Sequence, residues 1–324
     1  MATLSWVLSI RQGGGAMARL SRVEHQRLTR EKVLAAARAE FLLYGFRDAK
    51  IDNIAERAEL TRGAVYSNFP GKRALYFAVL AADRPVVTAA PATTRAEALH
   101  EFARAWLAGV PISSEPWLGR DLLPEVMADE ATRKPFAQLV RLSAILLGLT
   151  LERLDPGAGR QVRIAEQALT ILHGAGQFSG FADLFDVVRA CEHLAALDLD
   201  DSWPPPHLAF AAEVDVVDEP AGDLPDGVVV TLAPHRVSAV EEAMRATSDD
   251  VTLIVAAGDE LALLAELVIG DTLNCLAPLR AAPPLRVLYG PEGGPATEAA
   301  VRVANGRVVA RAEGFGACHA VAST

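Results

Sequence analysis

Between residues 30 and 75 the chain divides itself into short helical pieces at definite points, which leaves few folds open. Val33, Ala37 and Phe41 recur at four-residue spacing with Leu34 and Leu42 beside them, so the first piece is a helix with one apolar stripe. Gly45 stops it as a C-terminal glycine does, and Phe46 turns into a small core. Ile51, Ile54, Ala55 and Ala58 form a second, shorter apolar face. Glu59-Leu60 makes a turn, and Thr61 is a good N-cap for a third helix. Val65 faces back to the core, with Tyr66 there or at its rim. Pro70-Gly71 breaks the chain before Lys72 opens another helix. This order is the layout of a helix-turn-helix with a supporting first helix, in which the last short helix can lie in a DNA major groove.

The polar residues fall on the side that layout leaves open. Thr61, Arg62, Ala64, Ser67 and Asn68 lie on or near the exposed side of the third helix, with Tyr66 and Lys72 at its edges. Arg62 is the candidate base contact, because a guanidinium pairs bidentately with guanine. Tyr66, Asn68, Lys72 and Lys50 are candidates for phosphate, where contacts fix the docking.

The combination Gly45-Phe46, Ile54-Ala55-Glu56-Arg57-Ala58 and Thr61-Arg62-Gly63-Ala64-Val65-Tyr66-Ser67-Asn68-Phe69-Pro70-Gly71-Lys72 resembles the N-terminal domain of the TetR family of transcriptional regulators. The likeness covers about 50 residues, and two positions depart from it. Glu59 stands where the family usually has glycine, and carries a left-handed penalty if the turn keeps that geometry. Lys50 stands where Thr or Ser usually opens the second helix, so it forfeits a cap while adding a cation.

Charge supports the same reading once it is counted by segment. The whole chain of 324 residues is at −10, which by itself argues against nucleic acid. Residues 1–80 carry 13 Lys/Arg against 7 Asp/Glu, a net of +6, and the rest carries 18 against 34, a net of −16. A basic head on an acidic body concentrates the positive field at one end. The length suits two or three domains.

The expected organisation is mainly α, in four parts. Residues 1–23 form a flexible tail containing Gly13-Gly14-Gly15, with Met17 as an alternative start. Residues 24–80 are the three-helix helix-turn-helix head, 81–200 an all-α ligand-binding and dimerisation domain, and 205–324 a small α/β extension. Helices are expected over 119–129, 132–153, 160–176 and 179–197, with breaks at Gly157, Gly159 and Gly180. Ala165 to Phe178 resembles the penultimate helix of the family's second domain, which implies a homodimer through this helix and the next. Two-fold symmetry also follows from the head, since one short helix makes few base contacts and a dimer reads a palindrome of double-stranded DNA.

The resemblance further implies a small-molecule effector within the helices between about 95 and 180. Trp106, Trp117, Met127, Phe136, Leu139 and His173 are the candidate lining residues, and their composition favours a largely apolar effector. The implied activity is a repressor released from its operator by that effector. No cofactor, catalytic set or metal site is expected. Leu4 to Ile10 is too short for a signal core, and the apolar stretch 251–270 is interrupted by Asp259, Glu260 and Glu266, so no membrane span is expected. Cys191, Cys275 and Cys318 are widely spaced and read as buried free thiols of a cytoplasmic protein.

Trp203-Pro204-Pro205-Pro206 reads as a linker into the extension. Strands are expected at 228–232, 251–255 and 285–289 with helices at 237–246 and 260–269, implying a mostly parallel sheet. Asn305-Gly306 between Val301-Arg302-Val303 and Arg307-Val308-Val309 is a hairpin signal. Val287 to Gly294 is similar to a loop of the knotted SAM-dependent ribosomal RNA methyltransferases, but their companion motif has no match after Gly294. The extension is therefore expected to be a second sensor or an oligomer or partner surface. The alternative is a bifunctional regulator whose extension is an enzyme or partner-binding module.

Overall fold

The computed structural model describes residues 22–324 apart from 89, 112–116, 179–180 and 204–211. The expected N-terminal tail up to residue 21, the break at Gly180 and most of the Trp203–Pro206 linker lie outside the described residues.

The head is built from α1 (Arg22–Asp48), α2 (Ile51–Arg57), α3 (Arg62–Tyr66) and α4 (Lys72–Ala82). Val33, Ala37 and Phe41 are buried as their spacing requires. Gly45 breaks α1 with φ 73°, a left-handed value that glycine adopts without penalty. The chain then drops Phe46 onto Phe41 and Tyr76, with ring centroids 6.0 and 4.9 Å away. Phe41 meets Tyr76 edge-on at 5.2 Å. The Tyr76 hydroxyl donates to the Leu118 carbonyl, and the Asp121 carboxylate accepts from the Phe46 amide at 2.7 Å. The head is thereby tied to the turn at 118–121.

The helical body follows as α5 (Arg95–Leu107), α6 (Leu122–Ala128), α7 (Glu130–Leu154), α8 (Val162–Gln177) and α9 (Leu184–His193), close to the periodicity-based expectations. Thr94 and Glu97 close α5 with a reciprocal capping box. α7 runs through the middle, packed by α6 and α8.

The extension contains β1 (Asp215–Pro220), β2 (Gly227–Leu232), α10 (Val240–Ala246), β3 (Val251–Ala256), α11 (Asp259–Leu276), β4 (Leu285–Gly290), β5 (Glu298–Ala304), β6 (Arg307–Glu313) and α12 (Ala317–Ala322). Its six strands lie in the order β1-β6-β5-β2-β3-β4. Only β2–β3 and β3–β4 are parallel, while β2–β5, β5–β6 and β1–β6 are antiparallel, so the sheet is mixed rather than mostly parallel. The cause is the hairpin. Asn305 (φ 53°) and Gly306 (φ 72°) take the two left-handed turn positions that reverse the chain. β1 then adds to the hairpin's outer edge, and its sequence Asp215-Val-Val-Asp-Glu-Pro gave no buried-strand pattern because that edge is exposed.

The second difference concerns α11. It runs on to Leu276 instead of ending near Ile269, and it leaves the sheet to pack along α4, α5 and α7. One buried apolar cluster consequently extends from Val33 in the head to Ala322 in α12. α7 and the segment Asp259–Leu279 are both long and apolar enough to cross a membrane by length and composition alone. In this fold most of the apolar stretch of α7 is buried against neighbouring helices, while that of Asp259–Leu279 is buried to 39%. Cys191, Cys275 and Cys318 are all buried and unpaired.

Polar contacts fasten the extension to the body. Arg160, between α7 and α8, pairs with Asp201 at 2.6 Å and with Glu241 of α10 at 2.9 Å. All three side chains are less than a tenth exposed, and Arg245 at 2.7 Å from Glu241 and Arg163 at 3.7 Å from Asp201 add to the network. Arg245 binds Glu152 of α7 at 3.0 Å, and Ser238 donates to Gln138 at 2.6 Å. Replacing Arg160 with Met removes the counter-charge shared by two buried carboxylates, leaving Glu241 to Arg245 and Asp201 to Arg163. The full chain should lose about 3–5 kcal/mol in chemical denaturation, and a loss within error of zero would show that the extension is held by other means.

Candidate nucleic-acid interface

The open edge of the head is built by the turn between α2 and α3. The Leu60 amide donates to Ala55 O at 2.9 Å and the Glu59 amide to Glu56 O at 3.0 Å, a Schellman closure of α2. That closure needs a left-handed residue, and Glu59 supplies it with φ 57°. The expected backbone penalty is therefore present. Thr61 caps α3 as its position predicts, its hydroxyl accepting from the Ala64 amide at 3.2 Å.

Lys50 gives α2 no side-chain cap, as expected. The structure supplies a substitute that spacing could not reveal. Glu40, buried in α1, accepts from the Lys50 amide at 3.3 Å and from Asn53 Nδ2 at 2.8 Å, and faces Arg57 at 3.6 Å. A carboxylate at a helix N-terminus satisfies free amides and matches the helix dipole. Nothing near Lys50 in the sequence marks a residue ten positions earlier for this role.

Of the eight residues expected to face DNA, Lys50, Thr61, Arg62, Tyr66 and Ser67 are exposed, while Ala64 and Asn68 are half-buried. Arg62 stands over the Tyr66 ring at 5.5 Å and pairs with Asp52 at 3.3 Å. Both partners in that pair are more than half exposed, so it holds the guanidinium only loosely and yields readily to a stronger acceptor. Ser67 and Asn68 both donate to the Ala64 carbonyl, at 2.9 and 2.8 Å, closing the end of α3. Arg30 of α1 supports that end through the Phe69 ring, 4.4 Å from its guanidinium.

Lys72 is placed differently from the others. Its ammonium donates to the Arg47 carbonyl at 2.9 Å and sits 4.8 Å from the Phe46 ring, at the C-terminal end of α1. Burial lowers its pKa, with Glu125 and Asp48 acting in the opposite direction.

The body carries a second feature, a cavity of about 270 Å³. Trp106, Trp117, Phe136 and His173, four of the candidate lining residues, border it. Met127 does not; it is turned outward and half exposed. Leu139 is fully buried in the core away from the cavity. His173 meets Trp106 and Phe136 edge-on at 5.2 and 6.1 Å. Burial pushes its pKa down to about 4, so the ring is neutral at pH 7 and offers one donor and one acceptor. Sequence reasoning missed a whole wall, formed by α11 residues that include Val268, Asp271 and Thr272. Among the described residues no group of three or more His, Cys, Asp or Glu is gathered to hold a metal.

Residues 33–79 match the family model described as bacterial regulatory proteins, tetR family. The chain is similar to the HTH-type transcriptional regulator SrpR of Pseudomonas putida, at 45% identity over 65 residues covering 20% of this chain and 30% of that protein. It is equally similar to the uncharacterized HTH-type transcriptional regulator TtgW, also of Pseudomonas putida, at 45% over 65 residues covering 20% of this chain and 48% of the relative. The matched segment thus spans less than half of either relative.

Two outcomes follow from this geometry. Glu59→Gly relieves the left-handed strain and should stabilise the protein by about 1 kcal/mol in denaturant unfolding; a loss of stability would mean that the Glu59 side chain contributes more than its backbone costs. For His173, a folded-state pKa below the unfolded value of 6.5 means that the unfolded chain binds the extra proton first. Stability should fall as pH drops from 6.5 toward about 4, and His173→Leu should flatten that part of the profile. An unchanged profile in the variant would place the proton elsewhere.

Proposed function

We propose, on the premise that the head of this chain belongs to the tetR family of bacterial regulatory proteins, that the protein is a DNA-binding transcriptional regulator working as a homodimer. The observation that carries the reading is the exposed edge of α3. Thr61, Arg62, Tyr66 and Ser67 stand open on a rigid, capped support inside a segment of net charge +6. Arg62 reads a base edge, while Tyr66, Asn68, Lys72 and Lys50 position the phosphates. Lys72 first gives up its bond to the Arg47 carbonyl, or serves the interface by holding α4 against α1.

The dimer forms around α8 and α9. Phe178, Phe181 and Phe185 are 65, 94 and 81% exposed, and three large aromatics together on one end of a helical body favour a buried partner. A two-fold axis there presents two heads to a palindrome. The cavity takes a small, largely apolar effector that releases a repressor from its operator. The work is cytoplasmic, and the extension serves regulation rather than a reaction.

The direct test is binding to DNA from the gene's own upstream region. Wild type should bind tightly and lose roughly a thousandfold or more in affinity between about 50 and 200 mM salt. An Arg62→Ala, Tyr66→Ala double variant that still dimerises should not bind specifically. Equal binding by that variant would refute the α3 reading. A Phe181→Asp, Phe185→Asp variant should sediment as a monomer and bind the operator about a hundredfold or more weakly; a variant that stays dimeric would move the interface off this surface.

A further inference from the structure

α4 and α11 are joined at both ends by ion pairs of matching spacing. Arg73, at the start of α4, binds Glu260 in the first turn of α11 at 2.7 Å and also reaches Asp129 at 3.0 Å. Arg84, just past the end of α4, binds Asp271 at 2.5 Å. Each pair of partners is eleven residues apart in its own segment, since 84 − 73 and 271 − 260 agree. Eleven residues are close to three helical turns, roughly 16 Å, and return to the same helix face. The two segments therefore run side by side in the same direction, clamped at each end.

The second clamp lies on the cavity wall. Arg84 and Asp271 both line the cavity, together with Val268 and Thr272 of α11 and, opposite them, Trp106 and His173. The Arg84 guanidinium also donates to the backbone carbonyls of Glu266 and Leu267, each at 3.3 Å. It lies on the α11 backbone because residue 270 is glycine. A Cβ there would stand 2.5 Å from Arg84 Nη2. Ser143 of α7 and Thr272 share a hydrogen bond at 2.7 Å, and Asn274 donates to the Pro85 carbonyl at 3.1 Å. A molecule in the cavity thus touches the extension, the body and the trailing end of α4 at once.

The lining also selects the molecule. Arg84 and Asp271 neutralise each other, and Asp83 is held by Arg38, so no charge among the described lining residues is left for an ion. A charged ligand would be desolvated without a counter-charge. Two indoles, a Phe136 ring and a neutral imidazole suit a flat apolar body with one hydrogen-bonding group.

We propose that the ligand site is shared between the helical body and the C-terminal extension, that it takes an uncharged aromatic molecule, and that α11 passes occupancy to α4 through the Arg84–Asp271 clamp at Gly270. This rests on the effector reading of the cavity above. α4 is the relay because it packs on α1 in the head at one end and supplies the cavity wall at the other.

The test uses the full chain and N-phenylnaphthylamine, an uncharged aromatic dye with one N–H donor. Binding is read by energy transfer from tryptophan, and hydrogen exchange is followed with and without dye. Wild type should bind it, with slowed exchange in residues 105–110, 117–123 and 169–177 and also in 259–276. Val268→Trp fills the cavity from the extension side and should weaken binding by about tenfold or more, with thermal melting confirming the fold. Gly270→Ala suits a helix interior by propensity, so the fold should hold while the added methyl displaces Arg84. This variant should still bind the dye, yet lose the dye-dependent exchange change in residues 72–82 that wild type shows.

Dye binding that protects only helices of the body and ignores Val268→Trp would overturn the shared site. A dye-dependent change in 72–82 that survives Gly270→Ala would overturn the clamp as the route. Absence of dye binding would overturn the ligand class. Each of these leaves operator binding by the head intact, whereas failure of the regulator reading appears as loss of operator binding alone.

Discussion

Six consecutive residues of α4, Ala74 to Val79, are buried, so this helix needs apolar cover on every side. α1 covers one side and closes the head. The turn at 118–121 covers another and takes the Tyr76 hydroxyl. The remaining side belongs to α11, which comes from the far end of the chain. The head cannot move relative to the body without disturbing α4, and α4 cannot move without disturbing the extension. The last third of the sequence thus has a physical role, because it completes the packing of the helix that leaves the head.

Electrostatics reinforces that packing. The cations that tie α4 to α11 are Arg73 and Arg84, and their partners Glu260 and Asp271 belong to the acidic part of the chain. The acidic part of the chain thereby supplies the counter-charges at both ends of α4. The partly exposed pairs at the two ends are individually weak. That suits a contact that must reorganise, unlike the Arg160 triad, which is buried and fixed.

Much of the head was legible because its signals are local. The apolar stripe of α1, the Gly45 break, the Thr61 cap and the strained Glu59 turn each depend on neighbours a few residues away. The Asn305-Gly306 hairpin was legible for the same reason. The Glu40 cap was not, since it joins α1 to α2 across a glycine break. β1 was missed because an exposed edge strand needs no apolar alternation. α11 was read short because Gly270 and Asp271 look like a helix end until Arg84, 187 residues away in sequence, is seen lying across them. One signal was available and unused: the run Ala74-Leu75-Tyr76-Phe77-Ala78-Val79 is apolar all round, which already asks for more cover than a three-helix head provides. Among the candidate residues drawn from the implied pocket region, Trp106 and His173 border the cavity, whereas Met127 is on the surface and Leu139 in the core, because helical spacing does not tell a cavity wall from either.

The central claim is that the extension completes the fold around α4. It is tested most directly by thermal unfolding, followed by circular dichroism, of a chain ending at Leu199 beside the full chain. The shortened chain should lose its cooperative transition and expose apolar surface to a hydrophobic dye, because α4 and α7 lose the cover of α11. A shortened chain that melts cooperatively within a few degrees of the full protein would contradict it, and would make the extension an independent attachment.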